Sequence, residues 1–500
     1  MYYISTRGGA QRLSAAEVIA KSLAEDGGLF VPESFPLLTE KDIINLASMH
    51  YSKRAAFILG MFLDDFSREE LSGYSDAAYN GANFSHPSIV PLYKLDSKTF
   101  FLELGYGPTC AFKDMALQIL PYLLPASLRK INEKREVCIL AATSGDTGKA
   151  ALEGFHDVPG TRIIVFYPRD GVSDIQKLQM TSQRGKNVYV VAVDGNFDDT
   201  QAGVKAIFSD EEMRCELSGS GYILSSANSI NWGRLAPQIA YYVSSYCDLL
   251  AAGEIKPGER INFCVPTGNF GNILAAYYAG KIGLPVNRLV CASNRNDVLN
   301  QFISTGVYDI NRPFFTTISP SMDILISSNL ERLLFEMSDR DGGAVASYMS
   351  ALAGSGRYEI SRRVRDKISS IFTGGLCNEE DTKRTIADVF NRYNYLIDTH
   401  TAVGYKVLGD YRAASGDQTP SVVISTASPF KFCDSVISAL DSSSADRDGV
   451  DPAELLSEIS GCLIPPPLAA LKNLPQRFHD SVAIRDMKSA VMDFLRQRNA

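Results

Sequence analysis

From about residue 100 onward, short continuous apolar runs alternate with stretches whose apolar positions recur at helical spacing. The runs are Val137–Ala142, Thr161–Tyr167, Asn187–Val193, Ile261–Val265, Arg288–Ala292 and Ser421–Ser425. Each has the length of a strand, and unbroken hydrophobicity predicts strands buried on both faces. Helical segments such as Lys149–Phe155 and Ile273–Ile282 lie between them. That order predicts an α/β fold with mainly parallel sheets covered by helices. Ligands in such folds bind beyond the carboxyl ends of strands, so the loops after the runs are where chemistry is expected.

Residues 1–95 carry a different pattern, mainly helix and loop. Ser14 followed by Glu17 reads as a capping box opening a helix over Ala15–Leu23. Asp26-Gly27-Gly28 ends that helix, Leu29–Pro32 is a short extended piece, and Thr39 caps the next helix. Ser5-Thr6-Arg7-Gly8 reads as a turn. Further on, Pro121 and Pro125 interrupt the apolar helix expected over Met115–Leu124. An interior proline costs about 3 kcal/mol, so that helix kinks or ends and restarts. Residues 442–451 are polar and read as a linker or exposed loop. Pro465-Pro466-Pro467 precedes a final helical stretch, Ile484–Gln497.

Composition narrows the function classes. A chain of 500 residues exceeds one small core and implies two or three domains. A net charge of −8 argues against a general nucleic-acid binder, which needs positive surface to displace counterions. The 9 cysteines are scattered without a Cys-x-x-Cys, which argues against a disulfide framework or zinc site and fits a reducing cytoplasm. The 5 histidines are too dispersed to suggest a metal cluster, so no metal is expected. No apolar run has bilayer-spanning length, and the first residues lack the apolar core of a signal peptide, so no membrane partner is expected.

Three loops and one lysine carry the candidate chemistry. Thr143-Ser144-Gly145-Asp146-Thr147-Gly148 follows the strand ending at Ala142; its small residues and free helix-start amides suit an anion. It fails the Walker A spacing and the Gly-x-Gly-x-x-Gly spacing, which weakens a nucleotide-binding reading. Pro266-Thr267-Gly268-Asn269-Phe270-Gly271-Asn272 occupies the equivalent place after the strand ending at Val265, and suits a phosphate dianion. Ser425-Thr426-Ala427-Ser428-Pro429 offers hydroxyls without charge, and a hydroxyl can donate to an unprotonated ring nitrogen. Lys113 stands after a Gly-Pro turn at the start of an apolar helix. A lysine near a phosphate cradle with a neutral hydroxyl partner suits pyridoxal 5'-phosphate, whose aldehyde condenses with the amine. That amine must be partly neutral, so its pocket should lower its pKa by desolvation or nearby positive charge.

Taken together, Gly107-Pro108-Thr109-Cys110-Ala111-Phe112-Lys113-Asp114, Thr143–Gly148 and Gly268–Asn272 resemble the threonine synthase family. Tyr3–Gly8, Asp26–Pro32, Ala227–Arg234 and Asp398–Val403 are similar to its longer bacterial and fungal branch, and the likeness runs over about residues 2–435. The resemblance implies a fold-type II pyridoxal-phosphate enzyme, tryptophan synthase β-like, with two α/β subdomains and a helical N-terminal region. Expected regions are residues 1–95, a smaller domain over 96–235 with the lysine, a larger domain over 236–435 with the phosphate loop, and a helical extension over 436–500. Lys113 would form the imine, Gly268, Asn269, Phe270, Gly271 and Asn272 would hold the cofactor phosphate, and Thr426 would face the pyridine nitrogen.

The implied reaction converts O-phospho-L-homoserine and water to L-threonine and phosphate in a cytoplasmic monomer or homodimer. Candidates for the substrate are Thr109, Ser144, Asp146, Thr147, Asn231 and Arg234, with Arg234 able to clamp a phosphate bidentately or to sit in a surface salt bridge. Asp146 could orient a lysine or cap its helix. His400 reads as a structural histidine and Trp232 as packing. Family members often carry His where Tyr106 and Ser428 stand here, which removes any imidazole role at those positions. The alternatives are another lyase of the same cofactor class, a non-catalytic relative, and a nucleotide-binding enzyme.

Overall fold

Buried apolar strands assemble as their patterning requires, into two main sheets, with two two-stranded sheets beside them. The computed structural model describes residues 1–441 and 450–496. The larger sheet runs in the order Phe372–Leu376, Val286–Ser293, Ile261–Pro266, Ser421–Ser425, Thr99–Glu103 and Leu92–Lys94. All its pairings are parallel except the last, where Leu92–Lys94 closes the edge antiparallel to Thr99–Glu103. The smaller sheet is wholly parallel, in the order Ser481–Ala483, Val188–Asp194, Thr161–Pro168, Glu136–Ala142 and Tyr222–Ser226. Phe372-Thr373-Gly374-Gly375-Leu376 forms a strand that the apolar pattern conceals, since its two glycines interrupt the run. Gly374 and Gly375 lie where a Cβ would strike Asn300 and Val407, so close packing excludes larger residues there.

Sheet membership departs from the linear division expected above. Thr99–Glu103 pairs with Ser421–Ser425, in register from Thr99 opposite Ser421 to Glu103 opposite Ser425. The larger sheet thus gathers strands from both sides of the smaller one. At the other end of the chain, Ser481–Ala483 adds to the edge of the smaller sheet beside Val188–Asp194. The last helix, Met487–Arg496, buries Met487, Val491 and Leu495 in the apolar cluster on that sheet. We therefore propose two interleaved α/β units with a helical N-terminal region, rather than four consecutive segments. The polar stretch 442–451 lies outside the described residues except for its last two, and so does Gln497.

The N-terminal helices form where their caps predict. Ser14 and Glu17 make the expected capping box ahead of Ala15–Lys21, and Thr39 caps Glu40–Ala47 in the same way. They pack, with Tyr51–Phe62, against or near Trp232–Ala251, a 20-residue helix buried along most of its length. Trp232 is buried among Tyr3, Phe62 and Tyr278, a packing role. Thr6 and Arg7 bind Glu331, which ties the first turn to the larger unit. The apolar helix after Lys113 ends at Leu117 and restarts at Leu120, with Pro121 in the new first turn, where its missing N–H costs nothing. Pro125 stays inside the second piece. Among the described residues no helix is long and apolar enough to cross a membrane.

Candidate active site

Carboxyl ends of strands from both sheets converge on Lys113. The turn Gly105–Phe112 follows Thr99–Glu103, Thr143–Gly145 follows Glu136–Ala142, Thr267–Phe270 follows Ile261–Pro266, and Thr426–Ser428 follows Ser421–Ser425. The turn before Lys113 is braced by Asp114. Its carboxylate accepts from the Thr109 backbone N–H at 2.9 Å and the Thr109 hydroxyl at 2.7 Å. Gly107 is required at that point, because a Cβ would lie 2.4 Å from an Asp114 oxygen. Burial pushes the Asp114 carboxyl up to about 6, against the pull of its bonds from Thr109.

That shift has a measurable consequence. The folded value lies above the ordinary 3.8, so Asp114 contributes stability that is complete below 3.8 and lost as pH rises through about 6. Asp114→Asn has no such titration. Between pH 5 and 7.5 the wild type should therefore lose about 1–2 kcal/mol of its advantage over this variant, read as a narrowing gap in melting temperature. A gap that widens over that range would contradict the burial of an ionisable carboxyl here.

Lys113 is loosely held. Its Nζ lies 3.5 Å from Ser321 Oγ and 3.5 Å from Asp146 Oδ2, and its side chain is 11% exposed. Burial lowers its pKa, Asp146 opposes that, and Lys431 and Arg234 add to the lowering; the net shift is downward. Asp146 is held more firmly. Lys431 Nζ approaches Oδ1 at 2.7 Å, Gln176 Nε2 donates to Oδ1 at 2.9 Å, and Ser321 Oγ donates to Oδ2 at 3.0 Å. Burial alone would raise its carboxyl, but Lys431 and Lys113 outweigh it and hold it well below the usual range.

The glycine loop lines a cavity. Its carbonyls are taken from outside: Ser327 Oγ donates to Gly268 O, and the Asn329 backbone and side chain both donate to Asn269 O. Phe270 sits in the left-handed region at φ 62°, which lets Gly271 open the helix Gly271–Ile282 directly. Among the described residues, no backbone N–H from Gly268 to Asn272 has an acceptor. Asn272 Oδ1 accepts from the Tyr241 and Tyr242 hydroxyls, the latter at 2.6 Å, and its buried Nδ2 has no partner. Five unmatched amides and a side-chain donor at a helix start make an anion cradle, and buried donors without acceptors are costly unless a ligand supplies them. Gly268 cannot be larger, because a Cβ would stand 2.5 Å from Ser321 O.

Lys113, Thr147, Ser229, Arg234, His400 and Thr426 share this cavity with the loop. Thr426 Oγ1 makes no hydrogen bond among the described residues, while its carbonyl accepts from Phe112 N–H at 2.8 Å. A second cavity adjoins through Lys113, Thr147, Ser229, Asn269 and Ser321, and is walled further by Ser144, Asn228 and Lys205. It shares Lys205, Phe208, Ser226, Ile230 and Ser328 with a larger cleft that reaches Arg7 and Lys21.

Other expected site residues lie differently. Arg234 is only 2% exposed, so it is no surface ion pair; burial pushes its guanidinium down to about 10, and its Nε has no partner. Asn231 caps Trp232–Ala251 and spends its side chain on Ile19 O, Ser22 Oγ, Ser226 O and Gly233 N. Thr109 is spent on Asp114 and, through its carbonyl, on Lys431 at 2.9 Å. Neither lines the cavities around Lys113, and both serve local structure instead. Tyr106 and Ser428 also stay outside these cavities; Ser428 caps the turn Pro429–Lys431.

His400, read from the sequence as structural, lines the loop cavity. Its Nε2 accepts from Ser321 N–H at 3.2 Å and its Nδ1 faces Asp398 at 3.0 Å, which puts the ring proton on Nδ1. Ser321 and Lys431 escaped sequence reading altogether, since an isolated serine and an isolated lysine carry no pattern.

Comparison with known proteins agrees with this geometry. The family model for the threonine synthase N terminus matches residues 2–79, that for pyridoxal-phosphate dependent enzymes residues 88–427, and that for the threonine synthase C-terminal region residues 401–491. Threonine synthase from Pseudomonas aeruginosa is 40% identical over 87% of this chain and 90% of its own. Human threonine synthase-like 1 is 40% identical over 86% of this chain but 59% of its own, so the chain spans about three fifths of the length of the mammalian relatives it matches. The crystal structure of pyridoxal-phosphate-bound threonine synthase from Brucella melitensis superposes with a TM-score of 0.86 at 37% identity, covering 99% of this chain and 100% of that one. An amine of lowered basicity beside a cradle of unmatched amides suits that cofactor, and with matches along nearly its whole length the chain belongs to the threonine synthase family of fold-type II pyridoxal-phosphate-dependent enzymes.

Proposed function

We propose that the protein converts O-phospho-L-homoserine and water to L-threonine and phosphate, with Lys113 as the reacting amine. The observation that carries this reading is the placement of Lys113, its basicity lowered, in one cavity with the unmatched amides of Gly268–Asn272. Those amides, Asn272 Nδ2 and the Arg234 charge would hold the cofactor phosphate. Arg234 thereby moves from the substrate to the cofactor side. Thr426 Oγ1 would donate to the ring nitrogen. When bound, pyridoxal phosphate supplies a conjugated ring that accepts the electron pair left on carbon as a proton departs.

The chain's own groups handle protons and orientation. Lys113, once its amine is free, would take the proton from substrate Cα and then from Cβ. Asp146 and Ser321 hold the lysine head between them. Ser144 and Thr147 wall the second cavity, where the substrate would lie, and Asn228, Ser229 and Lys205 join them there. His400 accepts from Ser321 N–H, and so orients Ser321 rather than serving as a base. Nine free thiols, seven of them buried, accord with a reducing cytoplasm.

Borohydride reduction of the cofactor-loaded protein, followed by peptide mapping, tests the assignment. The label is expected on Lys113 alone, and threonine is expected as the amino-acid product from O-phospho-L-homoserine. Label on another lysine would remove Lys113; a keto acid or another amino acid as main product would favour a different lyase.

A further inference from the structure

Lys431 is a buried cation with no exposed side-chain surface and no place in either cavity around Lys113. It belongs to the turn Pro429–Lys431 after a strand of the larger sheet, whereas Asp146 opens the helix Asp146–Phe155 on the smaller sheet. Their 2.7 Å contact bridges the two units. A second bond runs from Lys431 Nζ to Thr109 O at 2.9 Å, inside the turn that presents Lys113.

One carboxylate therefore stands between two lysines. Lys431 and Gln176 share Oδ1, and Oδ2 is left to Ser321 and, more distantly, Lys113. A buried ion pair is seldom retained for stability alone, because desolvation offsets most of the attraction. We propose that Lys431 is a positioning residue, which turns Asp146 so that one oxygen only is offered to Lys113 and which matches the Asp146 charge so that the Lys113 amine need not. The inference rests on Lys113 as the reacting amine.

The charged and titratable groups around Lys113 fix the expected signs. Asp146 favours its protonated form; Lys431 and Arg234 oppose it; Lys205 walls the same cavity, and His400 Nε2 accepts from the Ser321 backbone N–H. Removing Lys431 both unmasks Asp146 and deletes a repulsion, so Lys113 becomes more basic. Removing the Asp146 charge makes it less basic.

The test reads the amine in the protein freed of cofactor, through the pH dependence of trinitrobenzenesulfonate labelling, with the Lys113 peptide quantified by mass spectrometry. Lys431→Met should raise the labelling midpoint by about one pH unit or more. Asp146→Asn should lower it, and Lys431→Arg should leave it near wild type. In the Asp146→Asn background, Lys431→Met should produce a clearly smaller step, because direct repulsion alone is then removed. An unchanged midpoint in Lys431→Met, or an equal step in both backgrounds, overturns the proposal. Should Lys431→Met not fold, Lys431→Gln keeps a donor without the charge; its midpoint should rise too, and an unchanged one counts equally against the proposal. Labelling reads the free amine of the cofactor-free protein, whereas borohydride reads the cofactor-loaded one, so failure here leaves the borohydride result for Lys113 standing on its own.

Discussion

Lys113→Ala should form threonine at least about 1,000-fold more slowly than wild type, since it loses both the covalent anchor and the general base, and general-base removal alone is worth about 100- to 10,000-fold. The measurement is threonine released from O-phospho-L-homoserine, with cofactor added in excess so that weak retention does not masquerade as lost chemistry. Folding should survive. Asp146 keeps its 2.7 Å partner Lys431 when Lys113 is gone, and the deleted amine made no contact shorter than 3.5 Å. Lys113→Arg sharpens the result. It preserves the cation beside Asp146, but a guanidinium stays protonated and cannot act as a base. A role limited to charge balance would let Lys113→Arg work, and the proposed role requires that it fail. Near-wild-type threonine formation by either variant would remove Lys113 from the chemistry.

Most of the architecture was legible because its strands are continuous apolar runs, and continuity is the mark of burial on both faces. Where that mark was absent, sequence reading missed the strand. Phe372–Leu376 is broken by Gly374 and Gly375, and Tyr222–Ser226 ends in two serines. Pairing between distant strands was not legible at all. Nothing local to Thr99–Glu103 says that its neighbour is Ser421–Ser425, since register is decided by tertiary contact. The same division holds at the site. The glycine loop and Lys113 could be read because a phosphate cradle and a Gly-Pro-flanked lysine have recognisable spacing. Ser321, His400 and Lys431 come together from two short turns and the start of the helix Thr399–Ser415, far apart in the chain, and act through contacts with Lys113, Ser321 and Asp146. Asn231 and Thr109 show the opposite error: polar residues inside a telling motif that prove to be spent on helix capping and turn bracing.

Gly271→Asp is expected to strip the protein of cofactor while leaving it folded. Gly271 is the first residue of the helix Gly271–Ile282, and an acidic residue in a first turn is favourable for the helix itself. Space is also available: a Cβ there meets Asn329 Nδ2 at 3.3 Å and Ser229 Cβ at 3.6 Å, contacts that a small shift accommodates. The damage comes from charge. The carboxylate would compete for the same unmatched amides from Gly268 to Asn272 and would repel the phosphate that they attract. At an effective dielectric of about 20, two unit charges about 4 Å apart interact by about 4 kcal/mol, so affinity should fall by more than about 100-fold. Gly271→Ala adds the methyl without the charge and should retain cofactor nearly as well as wild type. The reading is the cofactor absorbance remaining after exhaustive dialysis, with melting temperature of the dialysed proteins as the check on folding. Full retention by Gly271→Asp would place the phosphate elsewhere, and equal loss in both variants would mean that the loop discriminates by shape rather than by its unmatched donors.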